Sequence, residues 1–149
     1  MQTELWNDAA GGFHPASAPD FLPEPILKEV QLRRLRAVVA RAYDKVPLFR
    51  ARLEERGLTP AAIERLEDIA RLPFTVKSDL RDTYPFGLFA SPMSDVVRLH
   101  ASSGTTGKPI VVAYTREDVE VWSEVMTRTF AACGLHRGDI LRPMQKESG

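Results

Sequence analysis

The chain reads VVRLHA over Val96–Ala101, SSGTTGKP over Ser102–Pro109 and IVVAY over Ile110–Tyr114. The two outer runs are rich in β-branched residues and predict strands. The inner eight residues are small, hydroxylated or charged and predict a loop. Gly104 and Gly107 permit a positive φ and, having no Cβ, let a bulky anion approach the backbone. Successive amide groups in such a loop converge on phosphate oxygens. The hydroxyls of Ser102, Ser103, Thr105 and Thr106 are further donors, and Lys108 is a point charge suited to a polyphosphate. Pro109 brings no N–H and biases Lys108 toward extended backbone, so the loop leads directly into the second strand. The stretch reads as an anion cradle in a strand–loop–strand setting.

Two other readings of the eight residues are weaker. The P-loop of kinases and GTPases is G-x-x-x-x-G-K-[ST] and opens a helix. Here Ser102 stands five before Gly107 where that motif has Gly, and Pro109 follows Lys108 where it has a hydroxyl. A ligand-free Ser/Thr/Gly hairpin connection is the second. The lysine–proline pair and the strong flanking strands stand against it.

Downstream, Thr115 opens a helix, with Asp118 three residues on as in a capping box with Asp in place of Glu. Val119, Trp122, Val125, Met126, Thr129 and Phe130 form its apolar face, and Gly134 ends it. Glu117, Asp118, Glu120 and Glu124 read as a solvated face. Cys133, beside that helix end, reads as a buried structural thiol rather than a nucleophile. His100 either packs within its strand or touches a ligand of the loop; packing is the ordinary case.

Upstream the texture is helical. Ile26, Leu27, Val30, Leu35, Val38, Val39 and Ala42 recur at helical spacing up to Pro47. Lys28, Arg33, Arg34, Arg36 and Arg41 fall mostly on other faces, which is usually a solvated stripe and sometimes a partner surface. Leu48–Arg56 predicts a second helix with Gly57 at C′. Thr59-Pro60 looks like an N-cap with proline at the first helical position, and Ala61–Ala70 reads as helical or mixed with turns. Thr75–Leu80 predicts a further helical turn capped by a hydroxyl. Tyr84 and Phe86 either line a pocket or pack in the core; packing is the ordinary case. Residues 1–25, with four prolines and Gly11-Gly12, read as an irregular lead-in whose apolar residues pack on something.

Composition narrows the function. The 149 residues hold 20 basic and 20 acidic side chains, so the formal net charge is zero. That opposes non-specific nucleic-acid binding, which needs a basic surplus. One cysteine and three scattered histidines lack the short spacings of a zinc site. No apolar run approaches the roughly 20 residues of a membrane helix, and the acidic start lacks the basic region of a signal peptide. A cytoplasmic protein with neither a nucleic-acid nor a membrane partner is expected.

The loop SSGTTGKP resembles the phosphate-binding loop of adenylate-forming enzymes, and LHASSGTTGKP (Leu99–Pro109) resembles its form in the phenylacetate-CoA ligase family. Further resembling pieces are Ala42–Phe49, Leu72–Asp82 and Tyr84–Ala90. The resemblance implies an α/β fold: a helical N-terminal region over 26–92, then the start of the AMP-binding domain over 93–140. Residues 141–149 diverge, and the chain is expected to be a truncated N-terminal piece. It also implies ligation of phenylacetate or a similar aryl acid to coenzyme A through an acyl-adenylate, as in aromatic degradation. ATP, Mg²⁺ and coenzyme A take part. Thr105, Thr106, Gly107 and Lys108 would contact phosphate, while Ser102, Ser103 and Gly104 shape the turn. No catalytic or metal-binding residue is assigned. The piece alone is expected to be inactive, with uncovered apolar faces that favour self-association or a homodimer. A non-catalytic interaction module docking a partner on the N-terminal helices, or a relative adenylating another acid, are the alternatives.

Overall fold

The computed structural model describes residues 15–102, 109–135 and 138–140. The chain divides into two compact units, Pro23–Glu120 and a second formed by 1–22 with 121–149.

In the first unit, α1 (Glu24–Lys45) and α2 (Pro47–Glu55) meet at Val46, which ends one helix and precedes the other. Pro47 forces this break. It cannot continue α1, its neighbour Val46 is extended at φ −115° and ψ 99°, and its missing N–H costs nothing at the first position of α2. Folding back at Val46 lets the helices share a core of Val39, Leu53, Leu58 and Ile63, with Leu32, Leu35, Tyr43, Phe49 and Leu72 packed around it. Short 3-10 turns at Pro60–Ala62 and Leu66–Arg71 close this core. Thr59 takes the N-cap place expected of it, but by its carbonyl, which accepts from Ala62 N–H at 3.0 Å.

The basic side chains are only partly a solvated stripe. Lys28 pairs with Glu24 at the surface, whereas Arg36 donates to the carbonyls of Ile63 (2.8 Å) and Glu64 (2.9 Å). Arg50 donates to Tyr43 O and Asp44 O at the end of α1, and Arg56 to Arg71 O and Leu72 O. These forks satisfy carbonyls that helix ends and short turns leave without backbone partners. On α1, Ile26 and Val38, expected on the apolar face, are exposed, and Leu32 packs on the core instead.

Next comes α3 (Lys77–Asp82). The expected hydroxyl cap is a correction: the Asp79 carboxylate reaches back to Val76 N–H at 2.7 Å. Arg52 of α2 clamps the same carboxylate with two bonds, of 2.6 and 2.7 Å, and donates also to Phe74 O. Asp79 is buried. The Arg52 bonds first, and the Val76 amide second, hold its carboxyl below the usual range. Asp68 is held low by the Arg65 and Glu64 amides. Tyr84 and Phe86, expected in the core, are both exposed, and Phe86 packs on Phe89.

A 3-10 turn at Met93–Asp95 leads into β1 (Val96–Ala101), which pairs antiparallel with β2 (Val111–Thr115). Val97 is the extra residue of a bulge between the Val96↔Thr115 and Arg98↔Tyr114 pairs. The helix α4 (Arg116–Ala132) follows at once.

In the second unit, Pro15–Phe21 winds as 3-10 turns inside the stretch expected to be irregular. The fixed φ of proline suits such turns. Arg128 of α4 forks onto the Asp20 carboxylate. The apolar side chains Trp122, Val125 and Phe130 are exposed. Cys133 is exposed too. Its reading as a buried thiol fails because α4 presents that end to solvent.

Candidate functional site

The hairpin fixes where the motif begins and ends. Leu99↔Ala113, His100↔Val112 and Ala101↔Val111 are successive rungs of the ladder. One further rung lies beyond the strands. Ser102 N–H donates to Ile110 O at 3.0 Å, and Ile110 N–H donates to Ser102 Oγ, also at 3.0 Å. The first residue of SSGTTGKP is thus tied to the residue that follows its last. Of the expected site residues, Ser102 is described and sits on this rung, at the surface. Ser103, Gly104, Thr105, Thr106, Gly107 and Lys108 lie outside the described residues.

The other end of β2 is fixed as firmly. Thr115 N–H and Thr115 Oγ1–H both donate to Asp118 Oδ2, each at 2.8 Å. Asp118 N–H returns to Thr115 Oγ1 at 3.2 Å. The two residues form the capping box expected from their spacing, and it satisfies two donors at the start of α4. With β2 fixed at both ends, its register against β1 sets where Ile110 falls. His100, two residues before the motif, packs edge-on against Tyr114, with ring centroids 5.2 Å apart.

A cavity of about 270 Å³ lies within the first unit, against the hairpin. Val96, Ala113 and Asp118 line it from the hairpin and the start of α4, and Arg41, Leu80 and Phe89 from the preceding segments. A second, of about 350 Å³, is lined by Ala42, Val46, Phe49, Arg52, Phe74 and Leu88. Neither is legible in a sequence motif, because the walls of the first come from residues between 41 and 118 and those of the second from residues between 42 and 90. The resembling pieces Ala42–Phe49, Leu72–Asp82 and Tyr84–Ala90 were the available signal, and they supply several of these walls. Among the described residues no group of three or more His, Cys, Asp or Glu could hold a metal ion. No described helix is long and apolar enough to cross a membrane.

No family model matches the chain. It is 52% identical over 120 residues to a phenylacetate-coenzyme A ligase of Thermus thermophilus, covering 80% of this chain and 27% of that one. It is 54% identical over 113 residues to a phenylacetate-coenzyme A ligase of Pseudomonas putida, covering 76% and 26%. An Escherichia coli protein of the same name is 45% identical over 108 residues. The chain therefore spans about a quarter of the length of the curated relatives it matches. Among solved structures, 2-hydroxyisobutyryl-CoA ligase in complex with 2-HIB-AMP and CoA, in the thioesterification state, superposes with a TM-score of 0.72 at 32% identity. The match covers 79% of this chain and 26% of that one. An open conformation of the same ligase, also with 2-HIB-AMP and CoA, gives 0.70 at 30% identity. The resemblance read from SSGTTGKP and its flanking pieces holds in sequence and in fold. The helix-rich chain with its two-stranded sheet matches the N-terminal part of an adenylate-forming CoA ligase.

Proposed function

We propose that the chain carries the phosphate-gripping start of an AMP-forming acid–thiol ligase that joins phenylacetate, or a similar aryl acid, to coenzyme A. On this reading the carboxylate attacks the α-phosphate of ATP, pyrophosphate leaves and an acyl-adenylate forms. The thiol of coenzyme A then displaces AMP. Thr105, Thr106, Gly107 and Lys108 hold the β- and γ-phosphates, with Mg²⁺ nearby, and Ser102, Ser103 and Gly104 shape the turn. A cradle without a nucleophile suits such a transfer, whose catalysis is mostly positioning and charge stabilisation. Residues 93–140 are the start of the AMP-binding domain. The cytosol is the proposed compartment and aromatic-acid breakdown the proposed setting, in keeping with the names of the relatives.

The observation that carries the reading is the Ser102–Ile110 rung. It holds together the two ends of the eight-residue motif SSGTTGKP, in a chain 52% identical over 120 residues to a phenylacetate-coenzyme A ligase. Titration of the 149-residue chain with MgATP or pyrophosphate, followed by amide chemical shifts, tests it. Binding is expected. Lys108→Ala should weaken it about tenfold or more, the loss of one charge-assisted contact. Wild-type binding that Lys108→Ala leaves unchanged would remove Lys108 from the site. With phenylacetate, MgATP and coenzyme A the 149 residues alone are expected to form no phenylacetyl-CoA. A normal rate of thioester formation would show that the rest of the relatives' length is dispensable.

A further inference from the structure

In an antiparallel ladder, residues of a hydrogen-bonded pair exchange two backbone bonds, each N–H donating to the other's carbonyl. The Ser102–Ile110 rung departs from this. Ser102 N–H donates to Ile110 O, but the return bond from Ile110 N–H goes to Ser102 Oγ. The register of the neighbouring Ala101↔Val111 pair puts these two residues opposite each other, so the side chain has replaced the backbone acceptor. Ile110 is also the first residue after Lys108 with an amide that can pin the chain, because Pro109 has none. The pin lies two residues from Lys108.

We propose that Ser102 is a positioning residue: its Oγ latches the Ile110 amide and so fixes where the segment ending in Lys108 rejoins the sheet. It acts on the bound phosphate through that latch and not by gripping it. This rests on the proposed function for what the segment holds, though the latch itself does not. Threonine keeps the acceptor oxygen. Valine has the same shape without it, and both suit a strand end. Ser102→Thr, Ser102→Val and Ser102→Ala are therefore compared in the 149-residue chain, reading amide exchange at Ile110 and the affinity for pyrophosphate.

Ser102→Thr should keep both readouts at the wild-type level. Ser102→Val and Ser102→Ala should each speed Ile110 exchange and weaken pyrophosphate binding by about fivefold, the scale of one neutral hydrogen bond. Weakened binding with unchanged Ile110 exchange would make Ser102 a direct phosphate donor and overturn the proposal. Faster exchange with unchanged binding would overturn the positioning role. If the wild-type chain binds no pyrophosphate, the phosphate reading fails and takes the positioning role with it, while the exchange comparison still decides the latch.

Discussion

Helices α2 and α4 end in the same local geometry and in different surroundings. At the end of α2, Gly57 has φ +64°, its N–H donates to Glu54 O, and Leu58 N–H donates to Leu53 O, both at 2.9 Å. At the end of α4, Gly134 has φ +78°, its N–H donates to Ala131 O, and Leu135 N–H donates to Phe130 O, both at 3.0 Å. Each is a Schellman motif, with paired bonds from the two residues that leave the helix. The apolar residues bracketing the two motifs differ. Leu53 is 0% and Leu58 7% exposed, whereas Phe130 is 37% exposed. A cap is written in six neighbouring residues. Burial is written elsewhere: Leu53 is covered because Val39 and Ile63 come from other segments to meet it.

Truncating the two helix ends breaks this comparison most severely. Leu53→Ala should cost about 3–5 kcal/mol, the range for a core leucine whose cavity cannot fully collapse. Phe130→Ala should change stability by no more than about 0.5 kcal/mol, as exposed substitutions do. Urea denaturation followed by circular dichroism measures both. Equal losses would mean that the exposed face of α4 is covered in solution, by self-association or otherwise.

Acid should separate the regions next. Asp79 and Asp68 lie in the first unit and have carboxyls held low, by Arg52 for Asp79 and by backbone amides for Asp68. A carboxyl lowered by folding contributes stability that is complete above its unfolded value, 3.8 for Asp, and is lost as pH falls through the folded value. The α1–α2–α3 region should therefore hold its stability down to about pH 4 and lose it below. Asp79→Asn should flatten that acid limb and lower stability at neutral pH, because Arg52 keeps its charge and loses its partner. Thermal melts from pH 7 to pH 2.5 test this, and a mutant limb as steep as the wild type would assign the acid response elsewhere.

The same division explains what the sequence made legible. The bounds of β1, the Thr115–Asp118 box, and the glycines that close α2 and α4 were readable because each depends on residues within about five positions. The arginine forks were not. Arg36 reaches carbonyls 27 and 28 positions away, and at the level of helical spacing such a side chain looks like one more solvated cation. Cys133 departs from its reading for the converse reason: an apolar periodicity says which face would be buried, not whether anything covers it. In the candidate site, the two strands that flank SSGTTGKP were legible from their β-branched residues. The acceptor swap at Ser102 was not, since it follows from the pairing of β1 with β2.

The finest test acts on the caps themselves. A Cβ at Gly57 or Gly134 would meet no atom within 4 Å, so alanine at either position introduces no clash. What remains is the left-handed backbone, which costs an L-residue about 1–2 kcal/mol. The local cost of Gly57→Ala and Gly134→Ala should therefore be the same, and the readout should differ. At Gly57 the cap joins Leu53 and Leu58, which stand in one core with Val39 and Ile63, so the cost should appear in the midpoint of global unfolding. At Gly134 no buried residue of α4 is coupled to the cap. The strain should be relieved by fraying the last turn, seen as faster amide exchange at Gly134 and Leu135 with the global midpoint unmoved. A shift of the midpoint by Gly134→Ala as large as that by Gly57→Ala would show that the end of α4 unfolds with the core, and that its exposure understates its connection to the rest of the chain.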